Sequence, residues 1–201
     1  MAVTREAAKV FLFDAAATIN NQNHQAMVLE VLNDHLFWQA PGSSKWHHDY
    51  LGGLAHHTAE VVDNCVTLMG AMPFVERDTV LVAAFFHDWM KTHEYEYELE
   101  TFCPECPCDP SLHGDQSQMQ QRIKQGSIKR SEWGKRISHV VGSVLAFHDV
   151  VRAVDGDPEF RERVTHVMLA HHGRHEWRSP VEPCTPEAWI LHAADMLSAK
   201  P

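Results

Sequence analysis

The sequence predicts an all-α fold: a bundle of about six to eight helices carrying a Cys-containing insertion. Three observations lead there. Apolar residues recur at three- and four-residue spacing along most of the chain. No stretch shows the strict apolar/polar alternation of a half-buried strand. No linker, fixed-period repeat or low-complexity tract divides the 201 residues, so residues 1–201 read as a single domain.

The elements follow in order. Residues 4–17 and 21–38 are amphipathic, the second with Val28, Leu29, Val31, Leu32 and Leu36 at helical spacing, and they make residues 1–45 an N-terminal helical segment. APGSSKWHHDYLGG is a loop. The stripe Val61, Val62, Cys65, Val66 and Met69 predicts a core-packed helix over 57–69, ended by Pro73. Asp78 is the expected N-cap of a helix over 79–90. Residues 94–130 are polar, punctuated by Cys, Pro and Gly, and read as a peripheral insertion with a short helix over 116–124. Helical pattern resumes over 132–151, 158–171 and 185–200, the last capped by Thr185 before Pro186 and Glu187.

With 44% hydrophobic and 22% charged residues the chain is that of a globular protein. A formal charge of -10 argues against a broad surface for long nucleic acid, which needs clustered Lys and Arg. The longest apolar runs fall far short of a bilayer span, and no basic region precedes the apolar part of the N-terminus. No membrane partner and a cytoplasmic location are expected. The 16 histidines are the anomaly, and they cluster at His47, His48, His56 and His57 and again at His171, His172 and His175. An imidazole-rich interior points to metal.

The most informative stretch is FFHDWMK, in which His87 and Asp88 close an apolar run and Lys91 follows one helical turn later. Adjacent imidazole and carboxylate offer mixed nitrogen and oxygen ligation to a divalent cation, with a second carboxylate oxygen left for another. Taken alone, such a dipeptide is more often a hydrogen-bonded helix end. Here His57, His139, His171, His172 and Asp195 also fall on apolar, core-facing positions, and burying each unpaired would cost on the order of 1 to 3 kcal/mol.

The order His57, His87-Asp88, His139, His171, Asp195 resembles the HD-domain metal-dependent phosphohydrolase superfamily over most of the chain from residue 46 onward. WHHDYLGGLAHHTAEVV and HVMLAHHGRHEWRSPVEPCTPEAWILHAADMLSAK are similar to the HD domain of YhaM-type 3′-to-5′ exoribonucleases, and less closely to HD domains of some conjugation relaxases. The resemblance implies a first cation on His57, His87, Asp88 and Asp195. A second would be bridged by Asp88 and held by His139 and His171, with His172 an alternative or extra ligand. Lys91 would contact a phosphate oxygen, and His48 would touch substrate or protonate the leaving group. The implied activity is hydrolysis of phosphoester bonds in nucleotides or short single-stranded nucleic acid by metal-activated water, with Mn2+ first among the cations and Fe2+, Ni2+, Co2+ or Mg2+ as substitutes. Three features depart from the family pattern: His56 stands where an acidic residue is usual, Trp89 and Met90 replace small residues, and the N-terminal segment takes the place of an oligonucleotide-binding barrel.

Other candidates stand beside this set. Cys103, Cys106 and Cys108, with His113 or Asp109 as fourth ligand, are candidates for a structural Zn2+ site, against free thiols in a reducing cytosol. Cys65 reads as core and Cys184 as unpaired. Arg174 and Arg178 are candidates to clamp phosphate, against a solvated loop, and Trp46, Trp89 and Trp177 could stack on a base or pack in the core. His148-Asp149 reads as a solvated helix end, and His56 should face away from His57. His192 could brace Asp195 or sit as a satisfied core histidine. The rival activities are a nucleoside triphosphate or cyclic nucleotide hydrolase, or a catalytically silent module that binds a nucleotide or a partner.

Overall fold

A helix that is apolar on every side must lie inside a bundle, and VLVAAFF therefore sets the architecture. The computed structural model describes residues 5–104, 119–154 and 157–199. The chain runs through α1 (Arg5–Ala17), α2 (Gln22–Asn33), α3 (Gly53–Gly70), α4 (Arg77–Phe86) and the one-turn α5 (Lys91–Glu94). Beyond an arm of short strands come α6 (Glu132–Arg136), α7 (His139–Val154), α8 (Pro158–Ala170) and α9 (Pro186–Ala199). Every residue of α4 from Asp78 to Phe86 is buried. The helices α2, α3, α7, α8 and α9 all pack on it, and α1 covers α2 and α3. Phe85, Phe86 and Leu81 anchor the core, each burial contributing about 2 kcal/mol. The fold is all-α, and among the described residues no helix is long and apolar enough to cross a membrane.

Several boundaries differ from the sequence expectation, each for a local reason. The second helix stops at Asn33 because Asp34 turns extended; its carboxylate accepts from Leu36 N at 2.9 Å and from the Trp89 indole at 2.8 Å. Trp89 is thereby a packing residue, edge-on to Phe86. Gly52, at φ 82°, starts α3 one turn ahead of His57, and a Cβ on Gly53 would lie 1.9 Å from His48 O, so only glycine lets the 41–52 loop fold back here. α4 ends at Phe86 rather than 90, and residues 87–91 tighten into three-residue turns. The expected helix over 132–151 is two helices, separated where Ile137 becomes extended.

The insertion holds the one correction of type. In place of a helix over 116–124, Gln120–Ile123 is a strand, β3, paired antiparallel with β2 (Leu99–Phe102); nearer the bundle, β1 (Tyr95–Glu96) pairs with β4 (Lys129–Arg130). Both strand pairs are mostly exposed and polar, linked by pairs such as Glu100 with Arg122 at 2.7 Å. With Ile123 the one buried residue of these strands there is no alternation to read. Cys106, Cys108, Asp109 and His113 lie outside the described residues, and Cys103 is buried.

Asp78 does not cap α4, whose N-cap is Glu76. It accepts instead from the backbone N–H of Asn20 at 3.1 Å and Asn21 at 3.0 Å and pairs with His24 at 3.2 Å, fastening the start of α2 to the central helix. Burial alone would raise its pKa, but these hydrogen bonds hold it below the ordinary carboxylate value. A depressed folded-state pKa adds stability that is present above the ordinary carboxylate pKa and lost as pH falls through the folded one. Asp78→Ala should therefore cost about 1 to 3 kcal/mol in urea denaturation at neutral pH. That deficit should shrink as the pH is lowered past the carboxylate range.

Candidate metal centre

α4 and α8 both end at the same place, and each is followed at its C-cap by a histidine: His87 and His171. Each ring donates from Nδ1 to the carbonyl three residues earlier, His87 to Ala84 O at 2.8 Å and His171 to Met168 O at 2.6 Å. A carbonyl can only accept, so the Nδ1 proton is fixed and Nε2 presents its lone pair. His139, at the start of α7, donates from Nδ1 to the Glu94 carboxylate, with the same result. On α3, His57 Nδ1 lies 2.8 Å from Ser198 Oγ, which in turn donates to Glu60 Oε2 at 2.7 Å. The serine oxygen therefore accepts from His57, and that Nε2 also faces inward.

Asp88 stands between these lone pairs. Its Oδ2 lies 3.3 Å from both His57 Nε2 and His87 Nε2, and Asp195 Oδ1 approaches His57 Nε2 at 3.1 Å. Its Oδ1 lies 3.3 Å from His139 Nε2 and 3.7 Å from His171 Nε2. Among the described residues the structure thus gathers sets able to hold an ion around Asp88, with His57, His87, Asp88 and Asp195 in one and His139, His171 and His172 in another, while His47 and His48 meet His57 in a further set at the rim. Asp88 Oδ1, His171 Nε2 and His172 Nδ1 are buried without a hydrogen-bond partner. Orphaned buried atoms are costly, and nitrogen and carboxylate donors at such spacing suit divalent cations. Two facing lone pairs, His57 Nε2 and His87 Nε2 at 3.4 Å, repel unless a proton or cation lies between them.

The electrostatics agree. Burial and the rings of His172 and His87 push His171 well below the ordinary histidine pKa, and burial and His139 push His172 down to about 4, so both rings are neutral at pH 7. Burial would neutralise Asp88, yet Lys91, His87 and His139 hold its pKa well below the ordinary value. Against burial, the carboxylates of Asp195 and Asp88 raise His57. A cation would compete for that nitrogen with a proton.

Lys91 Nζ is 2.5 Å from Asp88 Oδ2 and 2.7 Å from Gly42 O. His48 turns toward Glu60, its Nε2 3.3 Å from Oε2, and burial with its neighbour His57 lowers its pKa to about 3. That leaves the ring neutral at pH 7. Arg174 lies 5.4 Å over the Trp177 ring and is exposed. His56 bonds Tyr50, facing away from His57's cluster as expected. His148 is held by Thr165 at 2.8 Å, and Asp149 pairs with Arg152 on the surface. His192 donates to His171 O at 2.8 Å, bracing a ligand candidate from behind; a Cβ on Gly173 would lie 2.3 Å from its ring.

Sequence reasoning missed Glu94, Ser198 and Glu60, which orient the rings, and His47, which faces His57 with ring centroids 5.3 Å apart. A signal existed for three of them. Glu94 follows Lys91 by three residues, Ser198 follows Asp195 by three and Glu60 follows His57 by three, each one turn along the same helical face. The insertion is accordingly not peripheral at its base, since Arg130 pairs with Glu94 at 2.6 Å.

The family model for the HD domain matches residues 54–200. The chain belongs to the HD-domain family. HD domains bind divalent metals and carry out metal-dependent phosphohydrolase-type chemistry, and the gathered His/Asp groups of this HD domain could hold such ions. No solved structure was found to match the chain.

Because Glu94 fixes the His139 tautomer, Glu94→Gln should weaken metal binding about 10- to 100-fold while leaving the helical content intact. Equilibrium dialysis with Mn2+ alongside far-ultraviolet circular dichroism measures both.

Proposed function

We propose that this HD domain is a divalent-metal-dependent phosphohydrolase that cleaves phosphoester bonds of nucleotides or short oligonucleotides. One observation carries the reading: the two oxygens of Asp88 face two separate sets of imidazole nitrogens. His57, His87, Asp88 and Asp195 would hold one cation, and His139, His171, His172 and the second Asp88 oxygen the other. Mn2+ is the first choice for this donor set, with Fe2+, Ni2+, Co2+ or Mg2+ as substitutes. When bound, such a pair supplies water that deprotonates near neutral pH and neutralises charge on phosphoryl oxygens.

The chain's own residues do the rest. Lys91 has three N–H donors, of which two are taken by Asp88 and Gly42 O, and the third would reach a phosphate oxygen. The Nδ1 partners of His57, His87, His139 and His171 keep the ligand nitrogens aimed inward before anything binds. The full burial of His57, His87 and Asp88, against partial exposure of Asp195, His172 and His47, has substrate approach from the side of the latter three. A net charge of -10 favours a small substrate over a long polyanion. Membership of the HD-domain family supports nucleotide-bearing phosphoesters.

The test is elemental analysis of the purified protein together with hydrolysis of mononucleotides, nucleoside triphosphates, cyclic nucleotides, dinucleotides and single-stranded RNA and DNA. Turnover of dinucleotides or short strands is expected. Hydrolysis of triphosphates or cyclic nucleotides alone would shift the substrate class, and no turnover with any cation would favour a silent binding module. Asp88→Ala should lower activity at least about 1000-fold and reduce metal at both positions; retained turnover would overturn the mechanism. Lys91→Ala should keep its metal yet lose about 100-fold in kcat, as expected for one removed transition-state donor.

A further inference from the structure

Another group of ligating atoms lies outside the two sets around Asp88, where the 41–52 loop meets α3. His56 and Glu60 stand four residues apart on one face of α3, and His48 arrives from the loop. His48 Nε2 is 3.3 Å from Glu60 Oε2, and His56 Nε2 is 3.4 Å from Glu60 Oε1. The ligand atoms of the three residues all lie within 4.8 Å of one another. The far ring nitrogen of each histidine has its own partner, His56 Nδ1 bonding Tyr50 and His48 Nδ1 lying 3.2 Å from His47 Nδ1, and Glu60 is steadied by Ser198 Oγ, which donates to its Oε2 at 2.7 Å. Outer partners of this kind orient metal ligands.

The backbone and the surroundings point the same way. His48 holds φ 53°, a left-handed conformation that a histidine adopts at a cost and keeps only where its surroundings require it. A cleft of about 320 Å³ between α1 and α3, lined by Phe11, Ala59, His56, Glu60 and Asp63, opens beside the group. Two imidazoles and one carboxylate with an open fourth position form a donor set characteristic of zinc.

We propose that His48, His56 and Glu60 form an accessory zinc site that fastens the 41–52 loop to α3 at the mouth of the main centre. The site is linked to that centre through Ser198, which bonds both Glu60 and His57, and through His48, which also meets His47 and His57, but none of its three ligands is among the residues grouped around Asp88. A bound ion here holds His47 over His57 and fixes the approach to the cluster.

Equilibrium dialysis against zinc, read by elemental analysis, tests this on the full chain and three variants. His56→Ala should bind one equivalent fewer than the wild type. His48→Asn, which suits the left-handed backbone, should lose the same equivalent and provides the test if His56→Ala does not fold. Asp88→Ala should retain the ion that His56→Ala loses, so adding His56→Ala to Asp88→Ala removes one further equivalent. Unchanged zinc content in folded His56→Ala and His48→Asn overturns the accessory site and leaves the main centre untouched. Full zinc content in Asp88→Ala, with one equivalent lost in His56→Ala, upholds the accessory site while refuting the main centre.

Discussion

The placement of four protons governs this protein. His57, His87, His139 and His171 each donate a hydrogen bond from Nδ1 to a neighbour that accepts it: two helix-terminal carbonyls, one carboxylate and one serine whose own hydrogen is committed to Glu60. All four Nε2 atoms are thereby turned on a common interior point at Asp88. The bundle can be viewed as the apparatus that keeps those acceptors in register. α4 is buried on every side and cannot rotate without breaking the close packing of Phe85 and Phe86, so the turn that carries His87 and Asp88 is held as firmly as the core.

Charge and burial reinforce that geometry. Low dielectric surroundings keep His171 and His172 neutral, and Lys91 with the neighbouring imidazoles keeps Asp88 ionised. Nitrogen donors without a proton and a carboxylate with its charge are the forms that bind metal. The C-terminal ends of α4 and α8 add the negative end of the helix dipole to the same space, which favours positive charge there. Nothing comparable surrounds His148 and Asp149, where the same dipeptide meets solvent and a threonine.

Much of this was legible in the chain. The apolar spacing located α1, α3, α8 and α9 to within a few residues, and ordered His and Asp residues on apolar faces named the groups that the fold brings together. Long helices with a buried stripe carry their own pattern. Other features could not be seen in that way. The arm strands bury Ile123 alone, and the early end of α2 depends on Asp34 meeting Trp89, a contact between residues far apart in sequence. Glu94 was hidden by the polar composition that follows it, although its spacing from Lys91 placed it on the same side of the turn. The lowered pKa of His48 was equally invisible, because burial and the residues that cause it, His57, His56, His47 and Lys91, come from different segments.

The base of the arm has a consequence for how this chain can vary. Tyr95 and Glu96 pair with Arg130 and Lys129 directly beside the Glu94–Arg130 ion pair. Those few rungs close the excursion where it leaves the bundle, and lengthening a closed loop adds little free energy per residue. Whatever lies beyond the rungs is thereby free to lengthen, shorten or acquire a new surface without moving the carboxylate that steadies His139. The arm is the part of the molecule on which kindred chains can diverge at least cost to their chemistry.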